Sequence, residues 1–406
     1  MIKKRKLKIA FLTSTFLPSI GGSQIGLHNI SLGLFRLGHE PIVIMPYGCY
    51  SKLLKQNWKL PYRIIPLPPK IFRAYYFFPN ILILVIKIYL KFINVVFNFD
   101  FWIANMAYPS GVILSRSLSK SKKNFTAVLC SGEDIQISEE INYGLRINDE
   151  INHQVKKYLP NVNHFISLTN SVEKEFLKLN INSNNIYEIP YGVNPEDLII
   201  KTKKNVLRKK HKIENSDFVF ICVGRNHPKK NFKLLNSIVN ELKKYDLKMS
   251  FKILIIGKEV NLLLDNILRD ENEKYFILKE EIGSLDINNI KFPSNLLAEY
   301  YNLSDCFLFP SNLETFGIVL AEAMIGNLPI ITTNAPGCRD VVRGNQDGMV
   351  FDIGDFKNAA KLMKSIINDP SILENFKIKS KLRSKDFFIK SIAEKYEKIV
   401  LDNINI

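Results

Sequence analysis

The stretch PSNLETFGIVLAEAMIGNLPIITT, residues 310–333, decides the fold prediction because short apolar runs stand at both of its ends. The runs CFLFP (306–310) and PIITT (329–333) have the length and composition of buried strands. Between them, Ser311 and Asn312 are favourable N-cap residues, so we expect a helix that starts near Thr315. A strand, a helix and a second strand in this order are typical of a parallel sheet.

The same alternation of strands and helices extends along most of the chain. In the first half, 9–13 is typical of a buried strand, a helix follows from about Ser23, and 42–45 is the next strand. A polar stretch at 193–215 interrupts the pattern, which restarts with FVFICVG at 218–224. We therefore predict an α/β protein with two Rossmann-like parallel-sheet domains facing across a cleft, divided as 1–194 and 195–385, with a terminal helix at 386–406.

Composition narrows the classes of partner. The 406 residues carry a net charge of +17, which suits a polyanion such as a phosphorylated small molecule, an anionic membrane or a nucleic acid. The five cysteines form no Cys-x-x-Cys pair, so we expect a reducing cytoplasm. The basic N-terminal stretch has an apolar run too short for a signal peptide.

A pair of glycines and a pair of basic residues follow strands at positions where ligands bind. Gly21 and Gly22 lie between the first strand and the first helix, where a backbone without side chains admits a phosphate or a sugar. Arg225 and Lys230 follow the first strand of the second half, and two converging cations suit a diphosphate. An ordinary glycine turn and a solvated basic turn are the alternatives.

Two glutamates stand eight residues apart in the opening stretch. Glu314 precedes the expected helix and Glu322 lies within it, and carboxylates accept hydrogen bonds from the hydroxyl groups of sugars. Phe316 and Gly317 supply backbone N–H groups at the helix start, which favour an anion. The alternative is a helix with exposed acidic residues.

The stretch LCSGEDIQ (129–136) follows a strand of the first half. Ser131 and Asp134 are candidates to face the cleft and to contact an acceptor or a sugar. A polar surface loop is the equal alternative.

Together these motifs resemble family 4 glycosyltransferases, which have the GT-B fold and retain the anomeric configuration of the sugar. The segments VGRNHPKKN, SDCFLFPSNLETFGIVLAEAMIGNLPIITTNAPGCRDVV and NQDGMVFDIGD match the family's donor domain in order and spacing. GGSQIGLHNISLGLFRLGHE and IPYGVN match its glycine loop and its domain junction.

The resemblance implies a role for each matched position. Glu314 contacts the donor sugar, Glu322 binds the nucleotide ribose, and Arg225 and Lys230 hold the donor diphosphate. The remaining donor-binding positions are Gly21, Gly22, Gly224, Phe316, Gly317 and Ile318. Many members have a histidine where this chain has Ser131, so we expect that local contact to differ. The terminal helix, with Ile392, Tyr396, Ile399 and Val400 on one face, is expected to pack on the first domain.

The expected reaction transfers a sugar from a nucleotide diphosphate to a hydroxyl of a glycan, lipid-linked or other acceptor, as in cell-surface polysaccharide biosynthesis. Cations that stabilise the leaving diphosphate make a metal unnecessary, and the sequence has neither an Asp-x-Asp element nor metal-ligand spacing. We therefore expect no metal and no cofactor, with the nucleotide sugar as co-substrate. The alternatives are a sugar-nucleotide epimerase of the same fold and a non-catalytic partner subunit. Dispersed basic residues argue against a nucleic-acid binder.

The region 71–98 is the most apolar part of the chain. Four polar residues interrupt it on one side of a helix: Lys87, Lys91, Asn94 and Asn98. One interpretation is a core helix with its lysines in solvent. The other is a helix that, with Arg73, Tyr75 and Tyr76 before it, lies against an anionic membrane, which predicts a cytoplasmic enzyme held peripherally at the inner membrane face.

Overall fold

The computed structural model describes residues 5–118, 125–263, 271–280 and 290–404. The described chain divides into two compact units. The first unit comprises the described parts of 1–192, 287–290 and 389–406, and the second comprises those of 193–286 and 291–388. From the sequence we expected these boundaries after 194 and after 385.

A seven-stranded parallel sheet forms the centre of the first unit, in the order β3-β2-β1-β4-β5-β6-β7. Its strands are β1 Lys8–Thr13, β2 Glu40–Pro46, β3 Arg63–Leu67, β4 Phe101–Asn105, β5 Phe125–Leu129, β6 His164–Ser167 and β7 Ile186–Glu188. Its helices are α1 Gly22–Arg36, α2 Tyr47–Lys55, α3 Ile71–Phe77, α4 Pro79–Phe97, α5 Val112–Leu118, α6 Asp149–Tyr158, α7 Asn170–Leu177 and the later helix Ile389–Ile404.

The central strands of this sheet are apolar along their length because helices cover both faces. All residues of β4 are buried, and those of β1 are buried after its first residue. Helix α1 packs against the helix Ile389–Ile404 at Gly33, where an added Cβ would lie 2.9 Å from the Cβ of Ala393. Ile392, Tyr396, Ile399 and Val400 are all buried, and their helix belongs to this unit.

The second unit is built around a six-stranded parallel sheet in the order β10-β9-β8-β11-β12-β13. The strands are β8 Phe218–Val223, β9 Phe251–Ile256, β10 Phe276–Lys279, β11 Cys306–Phe309, β12 Ile330–Thr333 and β13 Met349–Phe351. The described helices are Lys204–Lys210, Leu234–Leu242, Asn295–Leu303, Ile318–Ile325, Cys338–Val341, Phe356–Asn368 and Pro370–Ser384.

Each sheet has a point where the strand order reverses, and this point positions the candidate residues. In the first unit β1 lies between β2 and β4, and in the second β8 lies between β9 and β11. Ligands of open parallel sheets bind outside the carboxyl ends of the strands at such reversals. The loops after β1, β4, β8 and β11 are therefore where each unit would hold a ligand.

Candidate functional site

A lysine and a glutamate meet where the strand order of the second sheet reverses. Lys230 lies in the loop after β8 and Glu314 in the loop after β11, and both side chains are buried. The Nζ atom of Lys230 lies 2.5 Å from Oε1 of Glu314 and 4.6 Å from the centroid of the Phe309 ring. Lys229 adds a second ammonium, 3.8 Å from Oε2 of Glu314. The sequence grouped Lys230 with Glu314 in one site, but it did not predict that they form an ion pair.

Three loops hold Glu314 in place. The hydroxyl of Ser311 lies 2.7 Å from the carbonyl oxygen of Lys229 and 3.0 Å from Oε1 of Glu314, so it can donate to either. The backbone N–H of Glu314 donates to the carbonyl of Pro336 at 2.9 Å. Gly337 permits this approach: it has φ +80°, and a Cβ there would lie 2.3 Å from the Glu314 carbonyl oxygen.

The two lysines keep Glu314 ionised. Burial alone would raise its pKa, but the charges of Lys229 and Lys230 outweigh burial and hold the pKa below its ordinary value. The site therefore sets two lysine side chains against one carboxylate, which suits an anionic ligand, although burial lowers the pKa of Lys230.

Gly224 and Arg225 complete the loop after β8. A Cβ at Gly224 would lie 3.1 Å from Cε of Lys230, so the glycine leaves room for the lysine side chain to lie against the backbone. Arg225 is exposed, whereas Lys230 is buried. The structure thus places both predicted cations in one loop but in different environments.

The helix after β11 begins later than the sequence predicted. It starts at Ile318, not near Thr315, and its N-cap is Gly317 with φ +70°. Ser311 does not cap it, because the Ser311 hydroxyl lies against Lys229 and Glu314 instead. Phe316 is buried and its ring packs on that of Phe387 with centroids 5.5 Å apart. Gly317 and Ile318 therefore stand at the helix N-terminus, where backbone N–H groups favour an anion.

Glu322 is buried in the helix and lies beside Tyr301. The hydroxyl of Tyr301 donates to its Oε2 atom at 2.8 Å. Burial raises the pKa of Glu322 to about 7, although the Tyr301 hydrogen bond counteracts part of this effect. Sequence reasoning missed Tyr301, because it lies in the apolar helix Asn295–Leu303, where spacing alone gives it no functional signal.

A cluster of hydroxyl and amide groups lies at the carboxyl ends of the first sheet. The hydroxyl of Ser131 lies 3.0 Å from that of Ser23, 3.1 Å from Oδ1 of Asn105 and 2.9 Å from the hydroxyl of Tyr191. Ser131 follows β5, Asn105 ends β4, and Ser23 is in the first turn of α1. Sequence reasoning singled out only Ser131, because its partners are distant along the chain.

Asp134 binds backbone N–H groups of the loop that follows β5 and of the segment that follows β4. Its carboxylate is buried and accepts hydrogen bonds from the N–H groups of Ala107 at 2.6 Å, Ser131 at 3.0 Å and Gly132 at 2.8 Å. Burial raises its pKa, although these hydrogen bonds counteract the effect. The structure therefore assigns Asp134 to fixing the loop that presents Ser131, rather than to direct contact with a ligand.

The two glycines of the first unit lie at the start of α1. Gly21 is the N-cap in an extended conformation, and Gly22 is the first helical residue. A Cβ at Gly22 would meet no atom within 4 Å, whereas one at Gly26 would lie 2.2 Å from the Tyr191 ring. Packing therefore explains Gly26 but leaves open space beside Gly22.

Within 5–118, 125–263, 271–280 and 290–404, no three His, Cys, Asp or Glu side chains are grouped so that they could hold a metal ion.

Comparison with known proteins connects the second unit with a family of enzymes. Residues 203–383 match the family model described as Glycosyl transferases group 1. The chain is similar to the capsular polysaccharide biosynthesis glycosyltransferase CapM of Staphylococcus aureus, with 32% identity over 45% of this chain and 46% of that protein. This chain thus spans about half the length of that relative.

Other similarities cover nearly the whole chain. The alpha-monoglucosyldiacylglycerol synthase of Acholeplasma laidlawii is 23% identical over 98% of both proteins. The crystal structure of Anabaena HepE in complex with UDP superposes with a TM-score of 0.74 at 16% identity, over 98% of this chain and 100% of that one. The predicted fold class is confirmed: both units are Rossmann-like parallel sheets, and the crystal structure of a glycosyltransferase from Rickettsia africae superposes with a TM-score of 0.75 at 15% identity, over 98% of this chain and 99% of that one.

Proposed function

We propose that this protein is a glycosyltransferase of group 1 that transfers a sugar from a nucleotide diphosphate to a hydroxyl group of an acceptor. One observation carries the proposal. The buried Lys230–Glu314 pair lies where the strand order of the second sheet reverses, inside the segment that matches the family model. A cation beside a hydrogen-bond acceptor suits the two ends of a sugar diphosphate.

Each candidate site residue of the second unit then has a role. Lys230 and the exposed Arg225 stabilise the negative charge that develops on the leaving diphosphate. Glu314 accepts hydrogen bonds from the donor sugar, and Glu322 accepts them from the ribose. Backbone groups at Gly224 and at 316–318 bind the phosphates, and we assign Gly21 and Gly22 of the first unit to the donor as well.

The reaction that we propose retains the anomeric configuration and needs no metal or cofactor. The bond between the anomeric carbon and the diphosphate oxygen breaks, and the acceptor oxygen bonds to that carbon on the same face. The acceptor proton passes to the leaving phosphate oxygen, so no protein nucleophile is required. Positive charge from Lys230 and Arg225 replaces the metal that other enzymes use to neutralise a diphosphate.

We further propose that the acceptor is a glycan or a lipid-linked saccharide made for the cell surface, and that the protein works in the cytoplasm, peripherally at the inner membrane face. Similarity to the capsular polysaccharide biosynthesis glycosyltransferase CapM and to the alpha-monoglucosyldiacylglycerol synthase supports the proposed class of acceptor.

A donor screen tests the proposed function. Purified protein is heated with UDP-, GDP- and ADP-sugars, and a sugar that binds raises the midpoint of unfolding through mass action. The products formed with saccharide acceptors are then identified by mass spectrometry and NMR. We expect one class of donor to stabilise the protein and to yield a glycoside with the anomeric configuration of the donor, also in the presence of a chelator.

Variants and side products separate the alternatives. Lys230→Ala should abolish the donor-induced shift and turnover, whereas Lys233→Ala, an exposed lysine three residues later, should change neither. An altered sugar released without an acceptor would identify an epimerase instead. Failure of every nucleotide sugar to bind would support the non-catalytic subunit.

A further inference from the structure

Helix α4 has two apolar faces on opposite sides. Its inner face is buried in the core of the first unit through Ile83, Ile86, Leu90 and Ile93. Its outer face carries five large apolar side chains whose exposed fractions are between 62% and 80%: Ile81, Leu84, Ile88, Phe92 and Val95. Their spacing of three or four residues aligns them along one side of the helix. Contiguous exposed apolar surface of this kind marks an interaction site.

One interpretation of the sequence was a core helix with its lysines in solvent. The polar residues of α4, however, do not form its outward face. Lys87 is half-buried, Lys91 is exposed, and both lie between the two apolar faces. Asn94 accepts a hydrogen bond from Nε1 of Trp102 at 2.7 Å, so it points toward the sheet. The face that is left outward is apolar, which a core helix of a soluble domain does not explain.

The preceding helix α3 extends this exposed surface in part. Tyr76, Phe77 and Phe78 have exposed fractions of 52%, 62% and 61%, and Arg73 is exposed. Tyr75 is buried, and its hydroxyl lies 3.3 Å from Oε1 of Gln154. Tyr75 therefore belongs to the core and not to the surface that the sequence assigned to it.

The segment that carries this surface contains basic residues and no acidic ones. Residues 41–99, which include α2, β3, α3 and α4, contain no aspartate or glutamate. The same segment contains eight basic residues, namely Lys52, Lys55, Lys59, Arg63, Lys70, Arg73, Lys87 and Lys91. An apolar stripe set in an acid-free, basic segment is complementary to a surface with anionic headgroups above an apolar interior.

We propose that the outer face of α4, formed by Ile81, Leu84, Ile88, Phe92 and Val95, binds an anionic lipid bilayer with the helix lying in the plane of the membrane. Pro79–Phe97 has the length and hydropathy of a membrane span, the sole described helix that does. Its inner face, however, packs in the core, so insertion across the bilayer would break the unit apart. Lying flat, the helix buries its outer face among acyl chains while Lys87 and Lys91 extend toward the phosphates.

This inference identifies the contact surface itself and does not depend on the donor chemistry. The test measures co-sedimentation of the full chain with vesicles of phosphatidylglycerol and phosphatidylcholine, and with phosphatidylcholine alone. We expect binding to the anionic vesicles that persists at physiological salt, because apolar burial is not screened. The variant Ile88→Glu/Phe92→Glu should bind at least about tenfold more weakly.

The Pro370–Ser384 helix of the second unit offers a matched control. Ile378 and Leu382 are also four residues apart on a helix and have exposed fractions of 54% and 60%. Ile378→Glu/Leu382→Glu should bind vesicles like the wild type. Ile88→Trp, a milder change, should show a blue shift of tryptophan emission on anionic vesicles if position 88 enters the acyl region.

Three results would overturn the proposal. The first is a wild-type protein that stays in the supernatant with anionic vesicles at low salt. The second is vesicle binding by Ile88→Glu/Phe92→Glu equal to that of the wild type, since the basic residues alone would then suffice. The third is a dimer in light scattering that the same substitutions convert to a monomer without any vesicle binding, which would make a second copy of the chain the occupant.

Discussion

Lys230 helps to hold Glu314 ionised inside the second unit, while burial lowers the pKa of Lys230 and the charge of Glu314 counteracts part of that effect. A ligand-binding lysine in an open site could be removed with little effect on folding, but Lys230 is 9% exposed and paired with Glu314. Lys230→Met should destabilise the protein by about 3 kcal/mol, because Glu314 loses its closest ammonium while buried.

The double substitution Lys230→Met/Glu314→Gln should recover much of that stability, because no unpaired charge remains. Turnover should not recover and should stay about 100-fold or more below the wild type, since the diphosphate has lost its cation. Thermal unfolding and kcat/KM measured on the same samples check both statements. Recovery of turnover together with stability would show that Lys230 has only a structural role.

The carboxyl group of Glu322 predicts a pH dependence. Its pKa is raised from an ordinary 4.5 to about 7, so the group is largely protonated below that pH in the folded protein. A protonated carboxyl accepts hydrogen bonds poorly, and we expect the affinity for a nucleoside diphosphate to fall as the pH drops below about 7. Isothermal titration calorimetry at several pH values checks this. Glu322→Gln should bind weakly with no such dependence.

The free energy of unfolding should change with pH in the opposite sense to the nucleotide affinity. A raised pKa means that the folded state binds the proton more tightly than the unfolded state does. The stabilisation from this proton, on the order of 3 kcal/mol, is present below the unfolded pKa of 4.5 and is lost as the pH rises through about 7. Tyr301→Phe removes a hydrogen bond to Glu322, so the pH midpoint of nucleotide binding should move upward. An unchanged pH midpoint would show that Tyr301 does not affect the pKa of Glu322.

The position of the candidate donor-binding residues could be predicted from sequence because strand ends and glycine turns have local signatures. Lys230, Glu314 and Glu322 all lie in the second unit near the strand reversal or in the helix that follows it. Their partners could not be predicted. Tyr301 reaches Glu322 across 21 residues, and Tyr191 reaches Ser131 across 60, so only the folded sheet shows these pairs.

Among the structural elements, the helix Ile318–Ile325 depends on the conformation of one residue. Gly317 caps it with φ +70°, a region that residues with a Cβ rarely adopt. Gly317→Ala should destabilise the protein by about 1 kcal/mol and should also weaken donor binding, because the helix N-terminus shifts. Calorimetry and thermal unfolding measure the two effects.

Gly354 provides a matched control for backbone strain. It has φ +83°, and a Cβ there would meet no atom within 4 Å. Gly354→Ala should show a similar loss of stability while donor affinity stays unchanged. Equal losses of affinity in both variants would mean that general destabilisation, not the helix N-terminus, explains the result at Gly317.

Apolar periodicity predicted where helices occur, but it predicted their first residues less well. Ser311 and Asn312 have the side chains of N-caps, yet tertiary partners use both of them: the hydroxyl of Ser311 lies against Lys229 and Glu314, and Oδ1 of Asn312 accepts from Asn231. In the same way, the apolar region 71–98 divides into two helices at Phe78, before Pro79. Local propensity cannot anticipate a competing partner that is distant in sequence.

Across the whole molecule, the helix Ile389–Ile404 completes the first unit. His39 accepts a hydrogen bond from the N–H of Leu7 at Nδ1, so Nε2 carries the proton and faces Oε1 of Glu397 at 2.8 Å. Glu397→Gln keeps an acceptor and should be tolerated. Glu397→Leu should cost about 1–3 kcal/mol, because a buried donor loses its partner. Thermal unfolding distinguishes them, and equal stability of both variants would contradict this role.

The fold class was predictable at this scale because two runs of alternating strands and helices permit few arrangements. The return of the last helix to the first sheet was expected only from the resemblance to a known family. Its apolar face at Ile392 and Tyr396 shows that it must pack against something, but periodicity does not say against which unit.

The path of the chain between the two units has a consequence for biosynthesis. The N–H of Val193 donates to the carbonyl of Phe387 at 2.8 Å, so the outgoing and returning segments lie side by side. During translation, the ribosome completes the second sheet before it synthesises Ile389–Ile404, the helix that packs on α1. The first unit is therefore translated first but completes its folding last. Until Ile389–Ile404 is synthesised, the apolar residues of α1 that it will cover stay accessible to chaperones.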